Sequence, residues 1–205
     1  MNSAVLPSHT VPPEALRQRA VGTGLWVFIG VATALFSLFL LAYALRMDSS
    51  DWWPTPRPWQ LWLSSALLVC GSVLMQGAHR AVRRDDWPHA RVLLSAGGAC
   101  ALAFLGSQWG AWQALQGAHV LMAGNPSASF FYLLTGMHGL HVLGGIAAWA
   151  VTAQLAWERA EPQRVALRIA LCARYWHFLL VVWAVLFAAL GWLTPEIVRF
   201  ICGRG

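Results

Sequence analysis

Histidines are the residues of this sequence that are best placed to do chemistry. His138 and His141 stand three residues apart in the apolar string TGMHGLHVLGG, so on a helix their side chains lie within about 60° of each other. A third histidine, His177, lies in a later apolar segment. Two such histidines could bind a metal ion, but no Asp or Glu at matching depth would complete a ligand set. We therefore predict hydrogen-bonded packing or lipid-headgroup histidines, with no metal or haem bound by this chain.

Acidic side chains stay out of the apolar segments of the sequence. All eight lie in loops, tails or segment ends: Glu14, Asp48, Asp51, Asp85, Asp86, Glu158, Glu161 and Glu196. Carboxylates inside a membrane normally mark ion pathways or proton relays, because burying them costs several kcal/mol. Their absence disfavours a pump or a proton-coupled transporter.

Nucleophilic catalysis would need a serine paired with a histidine in the fold. Ser107 with His138 is the pair that the sequence leaves open, and it would describe an intramembrane enzyme. No serine stands in a recognisable nucleophile elbow, so we predict no catalytic residue. Thr135, Gln108 and Gln113 are instead expected to hydrogen-bond across helices.

The elements that carry these residues are long apolar segments. Of the 205 residues, 58% are apolar and only 11% are charged, which is far below the roughly 25% charged residues of soluble domains. We predict an all-α integral membrane bundle of five transmembrane helices, with a polar tail at 1–21, a membrane domain at 22–195 and a short C-terminal tail at 196–205. The predicted spans cover about 22–45, 58–78, 92–115, 127–156 and 172–194.

The net charge of +6 indicates topology in such a chain. Ten arginines fall in the N-terminal tail and in the predicted loops after spans two and four, against four on the other side. By the positive-inside rule the N-terminus is cytoplasmic and the C-terminus is outside. We predict no nucleic-acid partner, although a soluble protein with this charge would suggest one.

Small, aromatic and sulfur-bearing residues fit the same bundle. Several of the thirteen tryptophans stand near predicted span ends, as in an aromatic belt. Span four is rich in glycine and alanine, which predicts close helix packing and a central place in the bundle. The four cysteines form no C-x-x-C pair and are predicted to be small buried apolar residues.

Span four resembles a known family. The string FFYLLTGMHGLHVLGG, residues 130–145, closely resembles the signature of subunit III of the haem-copper respiratory oxidases. Span five supports this, since Tyr175-Trp176-His177-Phe178 and Val181-Val182-Trp183 resemble the family's Y-W-H-F-x-D-V-V-W segment. The resemblance covers roughly residues 22–195, and five spans are similar to the short form of this subunit.

The resemblance implies a non-catalytic subunit of a terminal oxidase complex in aerobic respiration. In the family, haem and copper reside in subunit I. Subunit III packs beside it, holds phospholipids within its bundle, and supports assembly, stability and proton uptake. The expected partners are subunits I and II and phospholipids in a cell (inner) membrane. The candidate residues for lipid binding or packing are His138, His141, His177, Trp176, Arg80, Tyr175 and Gln108.

Three positions depart from the family's pattern. Ala32, Ala111 and Leu180 stand where its members usually carry carboxylates, which places any role of those carboxylates in doubt. Two alternatives stay open beside the oxidase subunit: an accessory subunit of a nitric oxide reductase, and a small membrane carrier or intramembrane enzyme on the same bundle.

Overall fold

The fold is helical throughout the part of the chain that the structure describes. This computed structural model describes residues 13–47, 49, 51–53, 55, 56, 58–121 and 125–201, without the side chains of 13–19, 200 and 201. Within these ranges there are six helices and no strand. The helices are α1 (Pro13–Arg46), α2 (Gln60–Val82), α3 (Trp87–Gly117), α4 (Pro126–Trp157), α5 (Pro162–Trp192) and α6 (Pro195–Ile201).

Five of these helices, α1 to α5, are long and apolar enough to cross a membrane. Each can span the roughly 30 Å hydrocarbon core, which takes about 20 residues. The predicted five-span bundle is therefore confirmed. The direction in which the helices cross stays a prediction.

The helices run further than the apolar blocks, so several predicted loops are wrong. The segment from 79 to 91 was expected to be a loop, but α2 continues to Val82 and α3 begins at Trp87. Arg80 therefore lies in the last turn of α2, and Arg164, Arg168 and Arg174 lie on α5. Likewise α1 begins at Pro13 and a short helix, α6, occupies part of the predicted C-terminal tail. Hydropathy reports only the hydrocarbon part of a helix, and the helix can continue through the headgroup region.

The turn between α2 and α3 is set by two aspartates and a proline. Asp85 has a φ of 61°, the left-handed conformation that reverses the chain after a helix. Asp86 caps α3, since its side chain accepts a hydrogen bond from the His89 backbone N–H at 3.2 Å. Pro88 lies in the first turn of α3, where no backbone donor is needed. Four residues therefore suffice to make α2 and α3 antiparallel, as predicted.

The packing forms a four-helix bundle with a fifth helix on its flank. Each of α2 and α4 contacts both α3 and α5, and the α2–α3 pair packs most closely. Helix α1 contacts only α4 and α5 to a substantial extent and is the least buried of the five spans. Its link to α5 includes Arg174, whose guanidinium lies 5.4 Å from the ring centroid of Trp26.

Helix α5, rather than the predicted α4, is the most buried span. Trp176 and Trp183 on α5 are almost fully buried. Several small residues of α4, including Gly144 and Ala148, are exposed and face the gap beside α1. Three tryptophans of the predicted belt are exposed at or beside helix ends, Trp59, Trp157 and Trp192, and Trp53 is exposed in the connection between α1 and α2.

Candidate functional site

His138 lies at the centre of the bundle, inside a cage of aromatic rings. Its side chain is fully buried, and its ring centroid lies 5.2 Å from that of Trp183, 5.6 Å from Phe104 and 6.4 Å from Phe36. Neither of its ring nitrogens has a hydrogen-bond partner among the described residues. This histidine therefore joins α1, α3, α4 and α5 through ring contacts.

His141, one turn further on, is held differently. Its Nδ1 lies 2.7 Å from the Met137 carbonyl oxygen, which can only accept, so Nδ1 carries the proton. Its own carbonyl accepts a hydrogen bond from the Tyr175 hydroxyl at 3.0 Å. Phe28 of α1 lies against both rings, at 5.8 Å from His141 and 5.9 Å from Tyr175. These contacts hold His141 against α1 and α5. Its role in packing or lipid binding stays a prediction.

Ser107 and His138, the pair that the sequence leaves open, do not hydrogen-bond to each other. The Ser107 hydroxyl donates to the Gln60 carbonyl at 3.0 Å. Among the described residues, no group of three or more His, Cys, Asp or Glu side chains converges as a metal site would require.

His177 and Arg80 lie apart from these groups. His177 Nδ1 is 2.7 Å from the Ser72 hydroxyl, which joins α5 to α2. Arg80 is exposed on the last turn of α2. The structure therefore does not bring the seven candidate residues into one site.

Gln108 and Thr135 hydrogen-bond across helices as expected. Gln108 Nε2 donates to Ser64 on α2 at 2.9 Å, and Trp112 Nε1 donates to Thr135 on α4 at 3.1 Å. Gln113, by contrast, is exposed. Interhelical bonds of this kind contribute roughly 0.6 to 2 kcal/mol each in membrane bundles.

An open apolar cleft lies between the first part of α1, around Val21 to Phe28, and the helices α4 and α5. Its volume is about 590 Å³, and Tyr175 and Trp176 contribute to its wall. Gly145 brings α4 close to both rings, because a Cβ there would lie 3.0 Å from Tyr175 and 3.1 Å from Trp176. Two of the candidate residues therefore shape one surface, which we call the cleft. Its other lining residues include Val21, Leu25, Phe28, Ala148, Val151, Leu167 and Leu171.

Charged residues line the end of the cleft that lies beside the first turns of α5. Arg164 and Arg168 line it one turn apart, beside Glu161. Sequence reasoning missed this site, because Arg164 and Arg168 were assigned to a positive loop. Their spacing of four residues on a helix was the pattern that could have indicated it.

Apolar side chains fill the positions where carboxylates were expected. Ala32 on α1 and Ala111 on α3 are buried, with 2% and 0% of their surface exposed, and Leu180 on α5 is half-buried. Carboxylates at the first two positions would be enclosed by this packing. The described interior therefore offers no acid at these positions.

This fold and site define a class of protein: a polytopic helical membrane protein whose bundle carries an open apolar cleft with a basic end. Sequence comparison gives the family. The sequence model of the family "Cytochrome c oxidase subunit III" matches residues 18–194, and the chain belongs to this family. It is a subunit III of the haem-copper oxidases and a multi-pass membrane protein, consistent with the inner membrane.

Curated relatives cover most of the chain at low identity. Cytochrome c oxidase subunit 3 of Thermostichus vulcanus is 29% identical over 83% of this chain and 86% of its own length. The same subunit of Synechocystis sp. is 28% identical over 80% of this chain and 72% of its own. Cytochrome bo(3) ubiquinol oxidase subunit 3 of Pseudomonas aeruginosa is 26% identical, over 80% of each chain.

Proposed function

We propose that this chain is the non-catalytic subunit that packs beside the haem- and copper-bearing subunit I, and with subunit II, in an oxygen-reducing complex. Its work is structural: it holds phospholipid in the cleft and supports assembly, stability and proton uptake of the catalytic subunit. The redox chemistry is proposed to belong to subunit I, with no haem or copper bound by this chain. We further propose that the N-terminus is cytoplasmic and the C-terminus lies on the outer side.

The observation that carries the lipid role is the cleft. Its wall is apolar along α1, α4 and α5, as an acyl chain requires, and Arg164 and Arg168 line its end near the start of α5. Arginine suits a lipid phosphate because its guanidinium can donate two parallel hydrogen bonds. The loose packing of α1 gives such a lipid access from the bilayer.

An oxidase is favoured over a nitric oxide reductase by the names of the relatives. They include cytochrome c oxidases and a ubiquinol oxidase, so the electron donor differs within the group. Purification of the tagged chain in mild detergent should bring down a subunit with haem and copper that reduces oxygen. A chain that purifies alone, or with a nitric oxide-reducing partner, would refute the oxidase proposal.

The lipid role has its own test. Mass spectrometry of the purified complex should detect bound phospholipid, and replacing both Arg164 and Arg168 with Gln should remove at least half of it. A matched control is the double replacement of Arg83 and Arg84 with Gln, because these arginines lie in the α2–α3 turn and do not line the cleft. Equal lipid content in all three proteins would contradict the proposal.

A further inference from the structure

A layer of polar side chains crosses the centre of the bundle. Gln108 Nε2 donates to the Ser64 hydroxyl at 2.9 Å, and Trp183 Nε1 donates to the Ser65 hydroxyl at 2.9 Å. The His138 ring lies 5.2 Å from that of Trp183. We call these five residues, Ser64, Ser65, Gln108, His138 and Trp183, the polar layer. They come from α2, α3, α4 and α5.

Three atoms of the polar layer have no partner among the described residues: Gln108 Oε1, His138 Nδ1 and His138 Nε2. Both side chains are deeply buried, with 6% of Gln108 and 0% of His138 exposed. Buried polar atoms are nearly always hydrogen-bonded, to protein or to ordered water, because an unpaired one is costly. The aromatic rings around His138 offer at most weak acceptors.

The unpaired atoms belong to neighbouring side chains. Phe104 of α3 lies against His138, with ring centroids 5.6 Å apart. Gln108 follows Phe104 by four residues and so lies on the same face of α3. On the side away from Phe104, the Trp183 ring packs on His138 and donates a hydrogen bond to Ser65. The adjacent Ser64 accepts a hydrogen bond from Gln108. Gln108 and His138 are therefore linked on two sides, through the face of α3 that carries Phe104 and through the serine pair and Trp183.

A cavity at the α6 end of the bundle shares Trp183 with the polar layer. Its volume is about 150 Å³, and its wall includes Leu61 and Trp183. The Leu61 carbonyl accepts the hydroxyl hydrogens of both Ser64 and Ser65, at 2.9 and 2.8 Å. Ser127 also lines the cavity, and its hydroxyl is hydrogen-bonded to the Thr55 hydroxyl at 2.9 Å. This volume has room for several water molecules. We call it the end cavity.

We propose that the polar layer is an internal water-binding site, filled through the end cavity. One water donates a hydrogen to Gln108 Oε1 and its second hydrogen to the unprotonated ring nitrogen of His138. This water hydrogen-bonds α3 to α4 where the two side chains make no direct bond. This water site requires neither the proposed partner subunits nor lipid in the cleft.

The direct test is a map of the wild-type protein, purified with the subunits that accompany it, by electron cryomicroscopy at about 2 Å resolution. We expect a water peak within about 3.2 Å of both Gln108 Oε1 and one His138 ring nitrogen. A direct Gln108–His138 hydrogen bond, or a well-resolved layer without a water peak, would overturn the proposal.

Variants provide a second measurement on the same site. Gln108→Leu and His138→Phe should each lower the thermal midpoint of the complex by about 2 to 4 °C or more. The double variant should lose clearly less than the sum of the two, because removing both polar partners leaves neither unpaired. Gln113→Leu is the control, since Gln113 is exposed on the same helix. Strictly additive losses, or an unchanged water peak in Gln108→Leu, would overturn the proposal.

Discussion

Single atoms decide how closely the helices of this bundle approach each other. Gly98 on α3 lies beneath Trp149 of α4, whose Nε1 donates to the Leu94 carbonyl at 2.8 Å. A Cβ on Gly98 would overlap the Trp149 ring, so the ring would have to move. Glycine here permits both the close approach of α3 and α4 and the hydrogen bond of Trp149.

We therefore expect Gly98→Ala to destabilise the protein by about 1 to 3 kcal/mol, the usual cost of overpacking. Thermal unfolding of the purified protein in detergent measures this loss. Gly106→Ala is the matched control on α3, because a Cβ at Gly106 would meet nothing within 4 Å. Equal stability of the two variants would show that the contact with Trp149 does not limit the packing.

The second prediction at the scale of residues concerns the hydrogen bond between Ser72 and His177. Ser72→Ala removes the 2.7 Å link between α2 and α5, and should cost about 0.6 to 1.7 kcal/mol. His177→Ala should weaken association with the complex or its bound lipid without altering the haem spectrum of the partner. Ser37→Ala, at an exposed position of α1, provides the control for Ser72→Ala. A shifted spectrum in a complex that keeps the His177 variant would contradict a packing role.

At the scale of elements, one side chain at the start of α4 connects this helix to the segment between α1 and α2. Asn125 caps α4, since its Oδ1 accepts from the Ser127 backbone N–H at 2.9 Å. Its Nδ2 donates to the Trp53 carbonyl at 2.7 Å, which ties the α1–α2 connection to the same point. One side chain therefore fixes both the first turn of α4 and the segment that leads into α2.

Two substitutions separate these roles. Asn125→Asp keeps the capping oxygen and loses the donor to Trp53, whereas Asn125→Ala loses both. We expect Ala to cost about 1 kcal/mol more than Asp, the typical worth of an N-cap, as measured by thermal unfolding. Indistinguishable variants would mean that the cap contributes nothing to the stability of α4.

For the whole molecule, the uneven packing of α1 is the main structural feature. Helices α2 to α5 share one core. The first part of α1 lies across the cleft from it, where Arg174 contacts Trp26. Further along α1, Phe36 packs with Leu134, Val182 and Leu186 in a second cluster. A span with so few contacts can move away from α4 and α5 at lower cost than any of the other four spans. That difference provides a cleft in an otherwise close-packed bundle.

Topology is the prediction at this scale. Alkaline phosphatase fused after Gly205 should be active, and green fluorescent protein fused after Arg84 should be fluorescent. The reason is that ten of the fourteen arginines fall in the N-terminal tail and in the predicted loops after spans two and four. The positive-inside rule places these segments in the cytoplasm. If the phosphatase after Gly205 is inactive and the green fluorescent protein after Arg84 is not fluorescent, the N-terminus lies outside and the C-terminus lies in the cytoplasm.

The sequence alone determined the number and type of the spans and the family resemblance. Both depend on local properties: apolar length decides what can cross a bilayer, and the His138-containing and His177-containing strings identify segments by residue order. Helix ends were predicted less well, because helices continue past the hydrocarbon boundary, as at Arg80.

Tertiary structure decided which residues meet. His138 and His141 lie three residues apart on α4, yet only His138 is fully buried. Phe104 and Trp183 reach it from α3 and α5, whereas Phe36 contacts both histidines. The cleft likewise depends on how far α1 stands from α4 and α5. Such distances are set by interlocking side chains on separate helices, and no single segment of the sequence specifies them.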